Sequence, residues 1–346
     1  MNILFMIGNG FDLNVGLKTQ FMQFLPIYLD IPNDDERIKQ FKNDINLDLD
    51  TWADFEREIG KYARKYNLKN YNDYFFCLDD FSDQLLEHFK NQVALIKYEE
   101  HAQNIIEVFK ESINNFKQSL LEESQQIIGD IYSSTSKSAH TYSFITFNYT
   151  NVLDECLAIL INENKTKPLA QRSIPGGAVT DKIGSIIHIH GTLEKAVIIG
   201  VDNPSQIDNA ELSENKQFSK RIIKQDINNA LRNRKEYLGS GLIEKSNIIC
   251  IFGMSLGETD TSWWKRLGVW LSSNKSNQLV IFIYERNLKE SRPNQMIDVY
   301  DNYRNRFFDL AEIADSNREA LEQRIHIGLN TRVFKVDLIQ STIVDK

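Results

Sequence analysis

Cysteine is scarce. Cys77, Cys156 and Cys250 are too few and too far apart in 346 residues for a disulfide framework or a C-x-x-C zinc ribbon. That usage fits a reducing cytoplasm. Long apolar runs are missing too. No segment approaches the ~20 residues of a membrane span. The first apolar run, Ile3–Ile7, is too short for a signal peptide and lacks a basic lead-in. Positive charge is in deficit: 40 Lys and Arg against 48 Asp and Glu leave a net charge of −8. This disfavours a protein that coats nucleic acid by electrostatics. A cytoplasmic, soluble chain without a membrane partner is expected, and its hydrophobic fraction of 42 % is ample for a core. The length allows one large domain or two ordinary ones.

What is present is a series of short, continuous, β-rich apolar runs. They are Ile3–Ile7, Tyr142–Phe147, Ser185–Ile189, Ala196–Val201, Asn247–Phe252, Leu279–Tyr284 and Arg332–Leu338. Continuous rather than alternating runs suit strands covered on both faces. With helical segments between them, they predict an α/β fold with a doubly wound, mostly parallel sheet. A large α-helical insertion is expected between the first and second strands. Phe81, Leu85, Phe89 and Val93, then Ile105, Phe109, Ile113, Phe116, Leu120 and Ile127, recur at mostly helical steps. The expected division is residues 1–30 and 140–346 as the α/β domain and 31–139 as the helical insert. Ser133–Ser138 is a polar tether ending the insert, and Lys165–Val179 is a second candidate loop. Residues 202–245 read as a charged, helix-prone segment.

The first strand runs directly into Gly8-Asn9-Gly10-Phe11-Asp12-Leu13. A buried parallel strand that ends in a glycine turn can present backbone N–H groups to a phosphate. The third glycine of the dinucleotide fingerprint is absent, because Leu13 stands there. Other strand ends carry chemistry as well. Thr146-Phe147-Asn148 places an amide where ligands bind open parallel sheets, or Asn148 caps the helix near Val152. His188-Ile189-His190-Gly191 places two histidines on one side of a strand, as a general base or as metal ligands. Phe252-Gly253-Met254-Ser255 through Asp260 is a second glycine turn, for phosphate or ribose or simply as a helix cap.

Glu56 breaks the pattern of its own helix. Trp52, Phe55, Ile59, Tyr62 and Ala63 make an apolar stripe, and Glu56 projects close to it. A carboxyl pressed against aromatics has a raised pKa and can serve as an acid or base. The alternative is a salt-bridged residue at the stripe's edge.

In their order and spacing, these motifs resemble the bacteriophage abortive-infection AbiH family. The residues concerned are Gly8–Leu13, Trp52-x-Asp54-Phe55-Glu56, Thr146–Asn151, His188–Gly191 and Phe252–Asp260. That resemblance covers nearly the whole chain and implies a role in bacterial defence against phage. More distantly, the chain is similar to sirtuin-like NAD-binding domains, whose Gly-Ala-Gly, Thr-x-Asn and His-Gly motifs and later Gly-x-Ser turn match in order. It implies NAD as substrate or ligand. It also implies cofactor contacts from Gly8, Gly10, Gly253 and Ser255, with Asn148 and His190 performing the chemistry. Asn9, Asp12, Thr146, His188 and Asp260 are further expected cofactor contacts, and Glu56 is a further catalytic candidate that would stabilise developing positive charge.

The expected reaction is hydrolysis of NAD or a related nucleotide at the nicotinamide–ribose bond. His190 is the expected base, with a pKa near working pH. Asp12 departs from the sirtuin pattern, since a carboxylate repels pyrophosphate unless a cation or bound proton intervenes. Two alternatives stand beside it. One is a metal-dependent hydrolase or nuclease in which His188 and His190 with Asp12 or Asp260 hold a divalent ion. The other is a nucleotide sensor with a helical effector. A phage-derived trigger and a homo-oligomer are also expected.

Overall fold

The computed structural model describes residues 1–165, 168–289 and 291–339. Its strands are β1 (Asn2–Ile7), β2 (Thr141–Thr146), β3 (Gln171–Ile174), β4 (Gly177–Thr180), β5 (Lys182–His188), β6 (Ile248–Phe252), β7 (Gln278–Ile283) and β8 (Ile325–Leu329). Six form one sheet in the order β5-β2-β1-β6-β7-β8, and every neighbouring pair is parallel. With the β3–β4 hairpin set aside, this is the doubly wound strand order. Its switch point lies between β1 and β6.

Both faces of the sheet are covered, as the continuous apolar runs predict. Alternation along β1 sends Ile3, Phe5 and Ile7 to one face and Leu4 and Met6 to the other. Each fully buried side chain of this kind contributes about 1.5–3 kcal/mol. The first face packs on α6 (Tyr98–Asn115), α7 (Glu122–Ser134) and α8 (Val152–Asn164). The second packs on α12 (Lys235–Lys245), α13 (Thr261–Ser273) and α14 (Pro293–Leu310).

Seven α-helices lie between β1 and β2. After α1 (Gly10–Asn14) come α2 (Phe21–Asp30), α3 (Glu36–Leu47), α4 (Phe55–Tyr62) and α5 (Tyr71–Val93), and then α6 and α7. The helices from α2 to α5 share an apolar cluster with Ile199, Val201, Phe218 and Ile222. The helix-prone segment thus contributes α9 (Ala210–Glu214), α10 (Lys216–Ile222) and α11 (Lys224–Ala230) next to the early helices. Among the described residues no helix is long and apolar enough to cross a membrane.

Two expected strands are absent, and three unexpected ones are present: β8, and the β3–β4 hairpin that pairs the described part of the expected loop Lys165–Val179. Ala196–Val201 is irregular apart from a single bridge between Val201 and Ile223. Ile198, Ile199 and Val201 are buried, the last two in the cluster of helices α2 to α5, so the run signals burial and not sheet membership. Residues 332–338 are likewise irregular. Val333, Phe334, Val336 and Leu338 cross a face of the sheet, and Leu338 N–H donates to Val15. One edge of the sheet is β8, whose His326 and Gly328 interrupt the apolar pattern. His326 is buried, with its ring nitrogens on Gln278 and Ser124.

Candidate functional site

The carboxyl ends of β1 and β6 meet as two glycine turns. A Cβ on Gly10 would stand 2.5 Å from the Gly253 Cα, and one on Gly8 would stand 2.7 Å from the Gly253 carbonyl oxygen. Gly253 itself has φ +71°. These glycines therefore permit one backbone to lie on another. Their N–H groups are spent in the same contact: Gly8 donates to Phe252 at 2.9 Å and Gly10 to Gly253 at 2.8 Å. Asn9 is also engaged, exchanging hydrogen bonds with Thr19 at 2.6 and 3.0 Å. Ser255, on the β6 side, is exposed.

Asp12 lies in α1, 2 % exposed. One carboxyl oxygen accepts from Asn148 Nδ2 at 2.9 Å and the other from Thr150 Oγ1 at 2.8 Å. Burial pushes its pKa up to about 7, against the pull of those two hydrogen bonds. Near neutrality Asp12 thus holds a proton part of the time, which weakens the repulsion expected toward a phosphate. Asn148 is not the cap of α8, a position taken by Asn151. Its N–H donates to Thr146 Oγ1 at 3.2 Å. Its side-chain Oδ1 is buried and has no partner among the described residues. A buried acceptor left open costs about 1–3 kcal/mol, and such atoms mark places where a water or ligand hydroxyl binds.

The two histidines are not a matched pair. β5 ends at His188, and the chain turns before His190, so strand alternation no longer relates them. His188 Nε2 meets Asp154 Oδ2 of α8 at 2.7 Å. His190 is buried against Phe147 and Tyr149, with Nε2 3.8 Å from Asp260 Oδ1. Gly191, at φ +87°, allows the turn that follows, where a Cβ would stand 2.0 Å from the Ala196 carbonyl oxygen. Among the described residues no group of three or more His, Cys, Asp and Glu side chains is placed to hold a metal ion.

Glu56 lies beside the buried stripe of Trp52, Phe55, Ile59, Tyr62 and Ala63. It is also paired: Lys224 Nζ donates to its Oε2 at 2.7 Å and Tyr149 Oη to its Oε1 at 3.3 Å. Lys224, from α11, reaches the Thr259 carbonyl at 3.2 Å and Asp260 Oδ1 at 3.5 Å. This lysine is 4 % exposed and was invisible as a site residue in the sequence, where it lies in an ordinary charged segment. Burial lowers its pKa, but Asp260 and Glu56 together hold it above the ordinary lysine value. Burial raises both Glu56 and Asp260, against the pull of Lys224. His190 falls well below the ordinary histidine value because it is buried and near Lys224 and Lys235. Its imidazole is therefore neutral at pH 7, which corrects the expected near-neutral pKa.

Behind this cluster opens a cleft of about 750 Å³. Its wall includes Arg57, Gln225 and Thr261, the chain neighbours of Glu56, Lys224 and Asp260. Asp202 also lines it and caps α13, accepting from Ser262 N at 3.0 Å and Ser262 Oγ at 2.7 Å. Most charges on the wall are already matched. Lys61 pairs with Glu58, Lys265 with Glu312 at 2.8 Å, and Asp208 with Arg64 at 3.6 Å.

A doubly wound sheet with buried acids, an amide and an imidazole at its carboxyl edge defines an α/β protein with its polar centre where such folds bind ligands. The family model for bacteriophage abortive infection AbiH matches residues 4–284. The chain belongs to that family, which assigns it to abortive-infection defence against bacteriophage. No curated protein and no solved structure matches it. The similarity to sirtuin-like domains therefore rests on the motifs alone.

Proposed function

We propose that this defence protein hydrolyses NAD, or a nucleotide like it, at the nicotinamide–ribose bond. The observation that carries the proposal is the buried cluster in which Glu56 and Asp260 share the single cation Lys224. With His190 neutral, Lys224 is the one cation paired to these two carboxyl groups among the described residues. Such a centre favours positive charge, which develops on the ribose when its bond to nicotinamide breaks. The bonding electrons pass to the pyridine nitrogen, and nicotinamide leaves neutral. Water adds to the ribose carbon and gives up a proton.

His190 is the proposed acceptor of that proton, and Asp260, 3.8 Å away, stabilises the imidazolium formed. Asn148 is the proposed holder of the water or a ribose hydroxyl, through its open Oδ1. Asp12, partly protonated, orients the Asn148 amide. The glycine turn takes a packing role in this scheme, because its Gly8 and Gly10 N–H groups are already bonded.

The test is to incubate purified protein with NAD, ATP and RNA, with and without a divalent ion, and to identify products by mass. Nicotinamide and ADP-ribose are expected from NAD, unchanged by chelation. Cleavage of RNA or ATP that chelation abolishes would point to the metal-dependent alternative. Tight NAD binding without any product would point to a sensor.

A further inference from the structure

Once Lys61, Lys265, Asp208 and Asp202 are matched, two charged groups on the 750 Å³ cleft stay open. Arg57 on α4 and Glu258 just before α13 are exposed, and neither has an ion-pair partner among the described residues. The volume is that of a small-ligand site. The ligand that satisfies both groups carries an anion and a set of hydroxyls. A guanidinium binds phosphate through paired N–H donors. A carboxylate beside a parallel sheet accepts hydrogen bonds from a ribose diol. The glycine turn, the usual phosphate holder in such folds, has its Gly8 and Gly10 N–H groups engaged elsewhere. A nucleotide at this edge needs another anchor, and Arg57 directly follows Glu56 of the buried cluster.

We infer that this cleft is a ribonucleoside-phosphate subsite, with phosphate on Arg57 and the ribose diol on Glu258. It rests on the hydrolase proposed above and adds the place where its substrate is held. The subsite lies on the side formed by α4, the Asp202–Asp208 segment and the start of α13, not over the Gly8–Gly10 turn.

Calorimetric titration of the full chain with AMP, adenosine and 2′,3′-dideoxy-AMP tests the assignment. AMP is expected to bind about 10-fold or more tightly than either analogue, as a charge-assisted contact requires. Arg57→Ala should bring AMP down to the adenosine level. Glu258→Gln should bring it down to the dideoxy level. Both positions are exposed, and unchanged melting temperatures verify the fold. The assignment is overturned if AMP does not bind, if it binds no better than adenosine, or if either variant keeps the parental selectivity. Release of nicotinamide is read separately. Selective AMP binding without nicotinamide release defeats the hydrolase and leaves the subsite standing. Nicotinamide release without AMP selectivity does the reverse.

Discussion

Two regions at the same edge of the sheet use their polar groups in opposite ways. Where β1 meets β6, the Gly8 and Gly10 N–H groups close on the carbonyls of Phe252 and Gly253, and the glycines touch backbone to backbone. Where β2 and β5 end, Asn148 keeps an open buried oxygen, and Glu56 and Asp260 divide one lysine. The first region is saturated. The second retains capacity for a partner. A Gly-x-Gly after a strand thus has two physical meanings, anion binding or close packing, and the destination of its N–H groups separates them.

The largest expected contrast is catalytic. His190→Ala or Asn148→Ala should slow NAD cleavage by about 10²–10⁴-fold, whereas Ser255→Ala on the glycine side should stay near the parental rate. Equal rates for all three, measured as nicotinamide release, would remove the distinction between the regions. Next in size is Lys224→Met. It leaves two buried carboxyl groups without their cation and should cost about 3–5 kcal/mol in urea unfolding. The deficit should widen as pH rises, because both acids must then ionise unpaired. A variant as stable as the parent would show that the cluster is solvated.

Asp12 sharpens the comparison through pH. It ionises near 3.8 when unfolded and at about 7 when folded. Between those values the folded chain binds more protons, so its contribution to stability falls as pH rises from about 4 to about 7 and then levels off. The span is about 4 kcal/mol. Asp12→Asn should flatten that part of the stability profile, and an unchanged slope would place the titration elsewhere. The smallest effect is expected at the saturated junction. Gly10→Ala forces apart backbones already in contact and should cost about 1–3 kcal/mol, with little change in rate per folded molecule.

Much of this was legible from residues alone. Ile3–Ile7 and Leu279–Tyr284 read as buried strands because both of their faces are apolar, and they are, except that Tyr284 lies past the end of β7 and is exposed. Glu56 was found because it broke the stripe of a helix. Lys224 gave no such signal. Its segment is polar throughout, and its burial comes from partners 168 and 36 positions away. The run Ala196–Val201 misled for a related reason. Apolar residues report that a segment is buried, not what buries it. His326 and Gly328 hid β8 because a polar side chain reads as exposed until its partners, Gln278 and Ser124, are known.

Local pattern by itself determined the parallel α/β architecture and the strand ends that carry polar residues. These follow from periodicity and short-range order, which neighbouring residues encode directly. Tertiary structure alone decided that the two histidines take separate partners, that the glycine turn packs against a second glycine turn and that Asp12 titrates near neutrality. Each depends on groups brought together from distant parts of the chain. The desolvation and hydrogen bonds that set their chemistry exist only after the chain has closed around them.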